Sequence, residues 1–199
     1  MKTLRIAAWG LVAGLTVILG AGYYGGQFLK EKAQTVAAIG GPFALASTRG
    51  GVVDSKDLTG KPYAIFFGFT HCPEVCPTAL YEMSNLLAKL GDEAKDFRVF
   101  FVTVDPERDT VESMKDYVAN FDSRIEGLVP TLEQLPKLAS DFRVYYAKQP
   151  TSDGSYTMDH TALVFLMDET GAFSGTMAYE EAMDAREAKL RNLILGRRL

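Results

Sequence analysis

The chain has 199 residues, with 21 basic and 25 acidic side chains, a formal net charge of −4, two cysteines and two histidines. No basic run is concentrated enough to hold nucleic acid, and the mild acidity reads as ordinary solubility rather than as the mark of one partner class. About 170 residues follow the apolar N-terminal stretch, enough for one domain with a sizeable core, and no repeat or low-complexity tract argues for more.

Residues 6–29 carry no charge. At about 1.5 Å per helical residue they reach across a bilayer core of about 30 Å. Lys2 and Arg5 precede the run and Lys30 and Lys32 follow it, while Trp9, Tyr23 and Tyr24 lie near its ends, where amphipathic rings favour the membrane interface. Residues 1–29 are expected to be an uncleaved anchor; the alternative is a signal peptide cleaved near Leu19-Gly-Ala21. With two basic residues on each flank, charge hardly chooses a side, and the short N-terminal tail tips the orientation towards an inside N-terminus. Five residues before the span leave no room for an Arg-rich transit peptide. The expected home is therefore a bacterial inner membrane, crossed once, with the bulk of the chain in the periplasm.

Residues 30–41 read as a small-residue linker and residues 42–199 as the domain. Pro42 to Thr48 and Val52 to Leu58 read as two short strands around Gly50-Gly51, a hairpin suited to capping one sheet edge. Tyr63 to Phe69 is an apolar strand that stops at a polar loop holding both cysteines, and an amphipathic helix follows from Pro77 to Leu90, where Gly91 ends it. Pro77 suits the first helical position, because the amide it lacks would have had no intrahelical partner. Phe97 to Val104 reads as a strand buried on both faces. Asp109 or Thr110 then caps a helix through Phe121.

Ile125 to Val129 is a short strand, and Thr131 to Phe142 a helix that Pro136 interrupts or restarts. Arg143 to Ala147 and Thr161 to Met167 read as strands separated by the polar stretch Lys148 to Asp159. Asp168-Glu-Thr-Gly171 turns the chain into Ala172 to Ala178, and Glu180 to Leu195 is the last helix. Alternating strands and helices make this an α/β domain. Right-handed crossovers put the strands starting at Tyr63 and Phe97 side by side and parallel, so the Asp105 loop and the cysteine loop share the edge where open α/β sheets carry their sites.

Cys72 and Cys76 are four residues apart, so a backbone curling into a helical turn points both sulfurs one way. Unpaired amides and the helix dipole favour negative charge near Cys76 and are expected to lower its thiol pKa. Three chemistries fit: a structural disulfide, a redox dithiol one residue longer than the usual Cys-x-x-Cys spacing, and a metal site needing a third ligand. His71 adjoins Cys72, where neighbouring side chains diverge, and reads as a positioning residue. His160 closes the polar stretch before an apolar strand, a position that suits a loop or strand-cap histidine first and a ligand second.

Gly68-Phe-Thr-His-Cys-Pro-Glu-Val-Cys-Pro77, Val104-Asp-Pro-Glu-Arg-Asp-Thr110, Tyr117-Val-Ala-Asn-Phe121, Tyr145-Tyr146 and Asp159-His-Thr161 together resemble the Sco/SenC family of copper-binding assembly factors for cytochrome c oxidase, in the family's order. The resemblance implies a thioredoxin-like domain that binds one copper ion, as Cu(I) or Cu(II), through Cys72, Cys76 and His160, and passes it to the dinuclear copper centre of oxidase subunit II. The main alternative is a thiol-disulfide oxidoreductase using Cys72 and Cys76 to reduce the target's copper-ligand cysteines, with a periplasmic copper donor or thiol reductant as a further partner. Two thiolates and an imidazole suit Cu(I). Asp159 would then orient His160 or supply an outer contact, whereas Asp105 and Arg108 build their turn. Glu74 stands where the family commonly has Asp, and Leu128-Val-Pro130 replaces a usual Leu-Thr-Gly turn, a change expected on a partner-facing surface. The segment after Gly171 resembles the family less well.

Overall fold

The computed structural model describes Gly20, residues 39–178 and residues 180–197. Among the described residues no helix is long and apolar enough to cross a membrane. The expected anchor lies outside them but for Gly20.

Strands β1 (Ala44–Ser47) and β2 (Val52–Asp54) form the expected hairpin, turned by Gly50 and Gly51 at φ of 91° and 70°, conformations that glycine adopts without a Cβ clash. Strand β3 (Tyr63–Gly68) leads through the cysteine loop into α1 (Val75–Leu90), and β4 (Arg98–Thr103) leads into α2 (Val111–Val118). Strand β5 (Ile125–Val129), helix α3 (Gln134–Phe142), strands β6 (Tyr146–Pro150), β7 (Tyr156–His160), β8 (Leu163–Met167) and β9 (Phe173–Ala178), and helix α4 (Met183–Ile194) follow.

Seven strands form one sheet in the order β2-β1-β5-β4-β3-β8-β9. Its centre is parallel, with Gly68 beside Thr103 and Val102 beside Leu128, while β1 and β8 join antiparallel on either side. The N-terminal hairpin therefore extends one edge, as expected. Strand alternation sorts the rings of β3 between two layers. Phe66 stacks on Phe101, which stacks on Tyr117 of α2, whereas Phe67 packs on Phe142 of α3 and Phe165 of β8. All six β3 residues are buried, which explains why this strand reads as continuously apolar. This is a mixed α/β, thioredoxin-like arrangement.

Several expectations shift. Ser55–Leu58, read as strand, is a short helical turn, and Arg143, read as the start of a strand, ends helix α3. Helix α1 starts at Val75, so Pro77 sits third rather than first; the position is still tolerated, because its missing amide belongs to the first turn. Helix α3 begins at Gln134 after a turn in which the Thr131 hydroxyl accepts from the Gln134 amide and the Gln134 side chain accepts from the Thr131 amide, with Pro136 again in the first turn. The polar stretch after Ala147 is a second hairpin: β6 pairs with β7 and with no strand of the main sheet, its register setting Tyr146 beside His160. Leu128 and Pro130 are buried, so the departure there lies inside the sheet end instead of on a partner-facing surface.

Candidate metal centre

The cysteine loop hangs from the end of β3. Its anchor is Asp109, fully buried, whose carboxylate accepts from the Thr70 amide at 3.0 Å, the Thr70 hydroxyl at 2.6 Å and the Thr103 hydroxyl at 2.6 Å. Thr110 takes the helix-capping role, exchanging bonds with Ser113, which leaves Asp109 free to bind the neighbouring loop. The loop residue Cys72 is half-buried, and Cys76, in the first turn of α1, has no exposed surface.

Gly68 permits that burial. A Cβ there would lie 2.7 Å from the Cys76 sulfur and 2.6 Å from the Phe101 ring, so only glycine lets the sulfur lie against the strand. The Cys76 amide, one of the helix-start donors with no intrahelical partner, points at the Cys72 sulfur at 3.3 Å. Negative charge is thus favoured on Cys72, not on Cys76 as the sequence suggested. The Cys72 thiol is held down at about 4 by a hydrogen bond from the Cys76 thiol, with burial opposing and with the Cys76 and Glu74 amides assisting. Cys76 is pushed up by that same bond to Cys72, by burial and by the Cys72 charge. The reversal follows from Cys76 lying inside the first turn of α1 with both its thiol and its amide directed at Cys72.

His160 comes from the far end of β7. Its Nε2 lies 3.5 Å from the Cys76 sulfur, and its Nδ1 lies 3.2 Å from the Thr161 carbonyl. A carbonyl can only accept, so Nδ1 carries the proton and Nε2 presents a lone pair to the sulfurs. Phe69 and Phe66 hold the ring edge-on at 5.7 Å and 6.3 Å. The ligand atoms of Cys72, Cys76 and His160 all lie within 4.8 Å of one another. Two sulfurs and one imidazole are a donor set for a soft metal, with Cu(I) and zinc both suited, and three ligands leave a coordination position open.

The other sequence candidates separate cleanly. His71 is exposed and contacts Thr70 at 3.0 Å, outside the three-ligand group. Asp159 points to the opposite face of β7 and accepts from Gln149 at 2.9 Å; the Thr161 carbonyl, not this carboxylate, orients His160. Asp105 and Arg108 build their turn as expected, but Arg108 also donates to the Tyr156 carbonyl at 2.8 Å, and the Tyr156 hydroxyl donates to Asp105 at 3.0 Å. Sequence reasoning missed Tyr156, since nothing in a half-polar hairpin marks one tyrosine as a contact for a loop 48 residues earlier.

A family model for SCO1/SenC matches residues 31–195. The chain belongs to the SCO1/SenC family. It is 40% identical over 132 residues to protein SCO1 homolog 1, mitochondrial, of Arabidopsis thaliana, a match covering 66% of this chain and 40% of that SCO1 protein. The match thus spans well under two thirds of that relative's length. Bradyrhizobium japonicum ScoI, solved with copper bound, superposes with a TM-score of 0.73 at 46% identity over 78% of this chain and 99% of the other. Arabidopsis thaliana ScoI, also solved with copper bound, superposes with a TM-score of 0.74 at 34% identity over 80% of this chain and 99% of the other.

Proposed function

We propose that this chain is a copper carrier for the assembly of cytochrome c oxidase: it holds copper on Cys72, Cys76 and His160 and hands it to the dinuclear copper centre of subunit II. The observation that carries the reading is the meeting of two sulfurs and a tautomer-fixed imidazole within 4.8 Å. Copper-bound relatives support the choice of metal. In this reading the N-terminal apolar run anchors the chain in a bacterial inner membrane and the described domain works in the periplasm. Release is favoured by layout, because Cys72 is half-buried and lies on a loop while Cys76 is sealed. An incoming ligand from the acceptor meets Cys72 and His160 first, and Cys76 lets go last.

Anaerobic titration of the reduced full chain in mild detergent with Cu(I), with zinc as competitor and X-ray absorption to count ligands, tests the site. One copper with two sulfurs and one nitrogen is expected; a sulfur-only shell would remove His160 from the set and the carrier reading with it.

One observation favours a second role. An accessible thiolate at Cys72 backed by a buried thiol at Cys76 is the layout of a dithiol reductant, with Cys72 attacking a target disulfide and Cys76 resolving the mixed disulfide. The substitution His160→Ala separates the two. Copper transfer is expected to fail while dithiol exchange with a model disulfide persists; equal loss of both would refute this division of labour.

A further inference from the structure

His160 is delivered to the sulfurs by a hairpin that belongs to neither the main sheet nor a helix. Among the described residues strands β6 and β7 pair only with each other, so strand pairing with the seven-stranded sheet does not fix where the hairpin stands. Along β7, alternation turns Tyr156, Met158 and His160 to one face and Thr157 and Asp159 to the other. Met158 is buried and Asp159 exposed, so the first face is the one turned to the body of the domain. Tyr156 at one end and His160 at the other are thus two points on one short rigid strand.

Tyr156 is gripped by the loop that follows β4. The Arg108 guanidinium lies 3.7 Å from the centre of the Tyr156 ring and donates to the Tyr156 carbonyl at 2.8 Å. The Tyr156 hydroxyl donates to one oxygen of the buried Asp105 carboxylate, and Arg108 pairs with the other. Three contacts of different geometry therefore converge on one residue: a stacked face, a charge-assisted bond to the main chain and a bond from the hydroxyl. Lys148 on β6 adds a cation 4.6 Å from the same ring and pairs with Glu107 at 2.6 Å. The guanidinium also lies 6.0 Å from the Phe69 ring, which is the ring that holds His160 edge-on.

We propose that Arg108 and Tyr156 form a clamp that sets the position of His160 over the two sulfurs, and so governs how readily the third ligand leaves the metal. They are positioning residues; neither is a ligand. The inference rests on the copper-carrying reading for its effect on the metal, but the clamp itself acts in the metal-free chain. Loosening it lets β7 swing about its attachment at the hairpin base, where the Thr161 amide donates to the Tyr145 carbonyl and the Tyr145 amide donates to the Thr161 hydroxyl. His160 Nε2 then spends less time within reach of Cys76.

The test compares Tyr156→Ala, Tyr156→Phe and Arg108→Lys in the full chain, held in mild detergent. Tyr156→Ala removes both the stacked face and the hydroxyl. Tyr156→Phe keeps the ring under the guanidinium. Arg108→Lys keeps a cation beside Asp105 but loses the planar fork and the stacking surface. Copper loss to a chromophoric Cu(I) chelator is expected to quicken about tenfold or more in Tyr156→Ala and Arg108→Lys, in line with other residues that act through a metal ligand. Their Cu–N contribution in X-ray absorption should fall while the Cu–S contribution stays. Tyr156→Phe should recover most of both. In the metal-free chain, amide exchange of residues 156–160 should quicken in the same order.

A Tyr156→Ala chain with unchanged copper loss, Cu–N contribution and hairpin exchange overturns the clamp. If Arg108→Lys fails to fold, the Tyr156 pair decides alone. If the unsubstituted chain takes up no copper on sulfur and nitrogen, the carrier reading falls. Hairpin exchange then decides the clamp by itself, with quickening in Tyr156→Ala upholding it and no change ending it.

Discussion

Gly68 ties the metal centre to the core through one missing methyl group. An alanine Cβ at this position meets the Cys76 sulfur and the Phe101 ring well inside van der Waals distance, and both neighbours are fully buried. Neither is the free end of a flexible chain. Overpacking of this kind costs about 1–3 kcal/mol. Gly68→Ala is therefore expected to lower the denaturant midpoint of the metal-free chain and to disturb the Cu–S distances in the same protein. Normal copper binding at lowered stability would mean that Phe101, not Cys76, yields. At this scale the sequence shows the ligands but not their supports. Cys72, Cys76 and His160 are marked by residue type, and the family resemblance brings them together. The charge distribution between the thiols depends on the Cys76 thiol and amide both facing Cys72, a contact that residue types alone do not show. The supports are legible only in part, because Thr161 contributes a main-chain carbonyl and Tyr156 a contact across 51 residues to Asp105.

The elements divide by how they are held. Helix α4 closes the domain against β8, β9 and the short helical turn Gly91–Ala94, and it does so with two kinds of contact. Leu190 and Leu193 are buried, while Arg186 pairs with Glu82, Arg191 with Glu93 and Lys89 with Glu187 around them. Leu190→Ala leaves a cavity in a packed interior and is expected to cost about 2–5 kcal/mol in chemical unfolding. Lys89→Ala removes an exposed lysine from the buried Glu187, which keeps its second partner Arg191, so its unfolding midpoint should move less than that of Leu190→Ala. A larger loss from Lys89→Ala than from Leu190→Ala would mean that charge, not burial, docks this helix. The same distinction explains which elements the sequence reveals. The β3 and β4 strands and α1 announce themselves through long apolar runs or a helical apolar stripe, because they are buried by the main sheet and its covering layers. The hairpin of β6 and β7 is half-buried or exposed outside one buried methionine, so no apolar period distinguishes it from a loop.

Across the whole molecule, a buried phenol at the sheet's base is expected to lower stability at high pH. Tyr63 opens β3 and is buried; burial first, and then the charge of Asp168, push its pKa up to about 12. An unfolded chain ionises the same phenol near its ordinary value of about 10. Between these values the unfolded state has lost a proton that the folded state keeps, so stability falls as pH rises. The contribution of the neutral phenol is fully present below about pH 10 and is lost towards pH 12. Two pKa units correspond to about 2–3 kcal/mol. The site thiols titrate too, so the measurement compares chains that differ only at Tyr63. Tyr63→Phe keeps the ring that packs edge-on against Phe100 at 5.6 Å and removes the ionisable hydroxyl. Urea unfolding at pH 8 to 11 should give a shallower alkaline decline in Tyr63→Phe than in the unsubstituted chain. Parallel declines would place the alkaline limit elsewhere, in the other raised phenol, Tyr117, or in the lysine ion pairs. The placement matters for the metal centre, since β3 carries Tyr63 at one end and Gly68 at the other, and opening this strand from its base withdraws the surface against which the Cys76 sulfur rests.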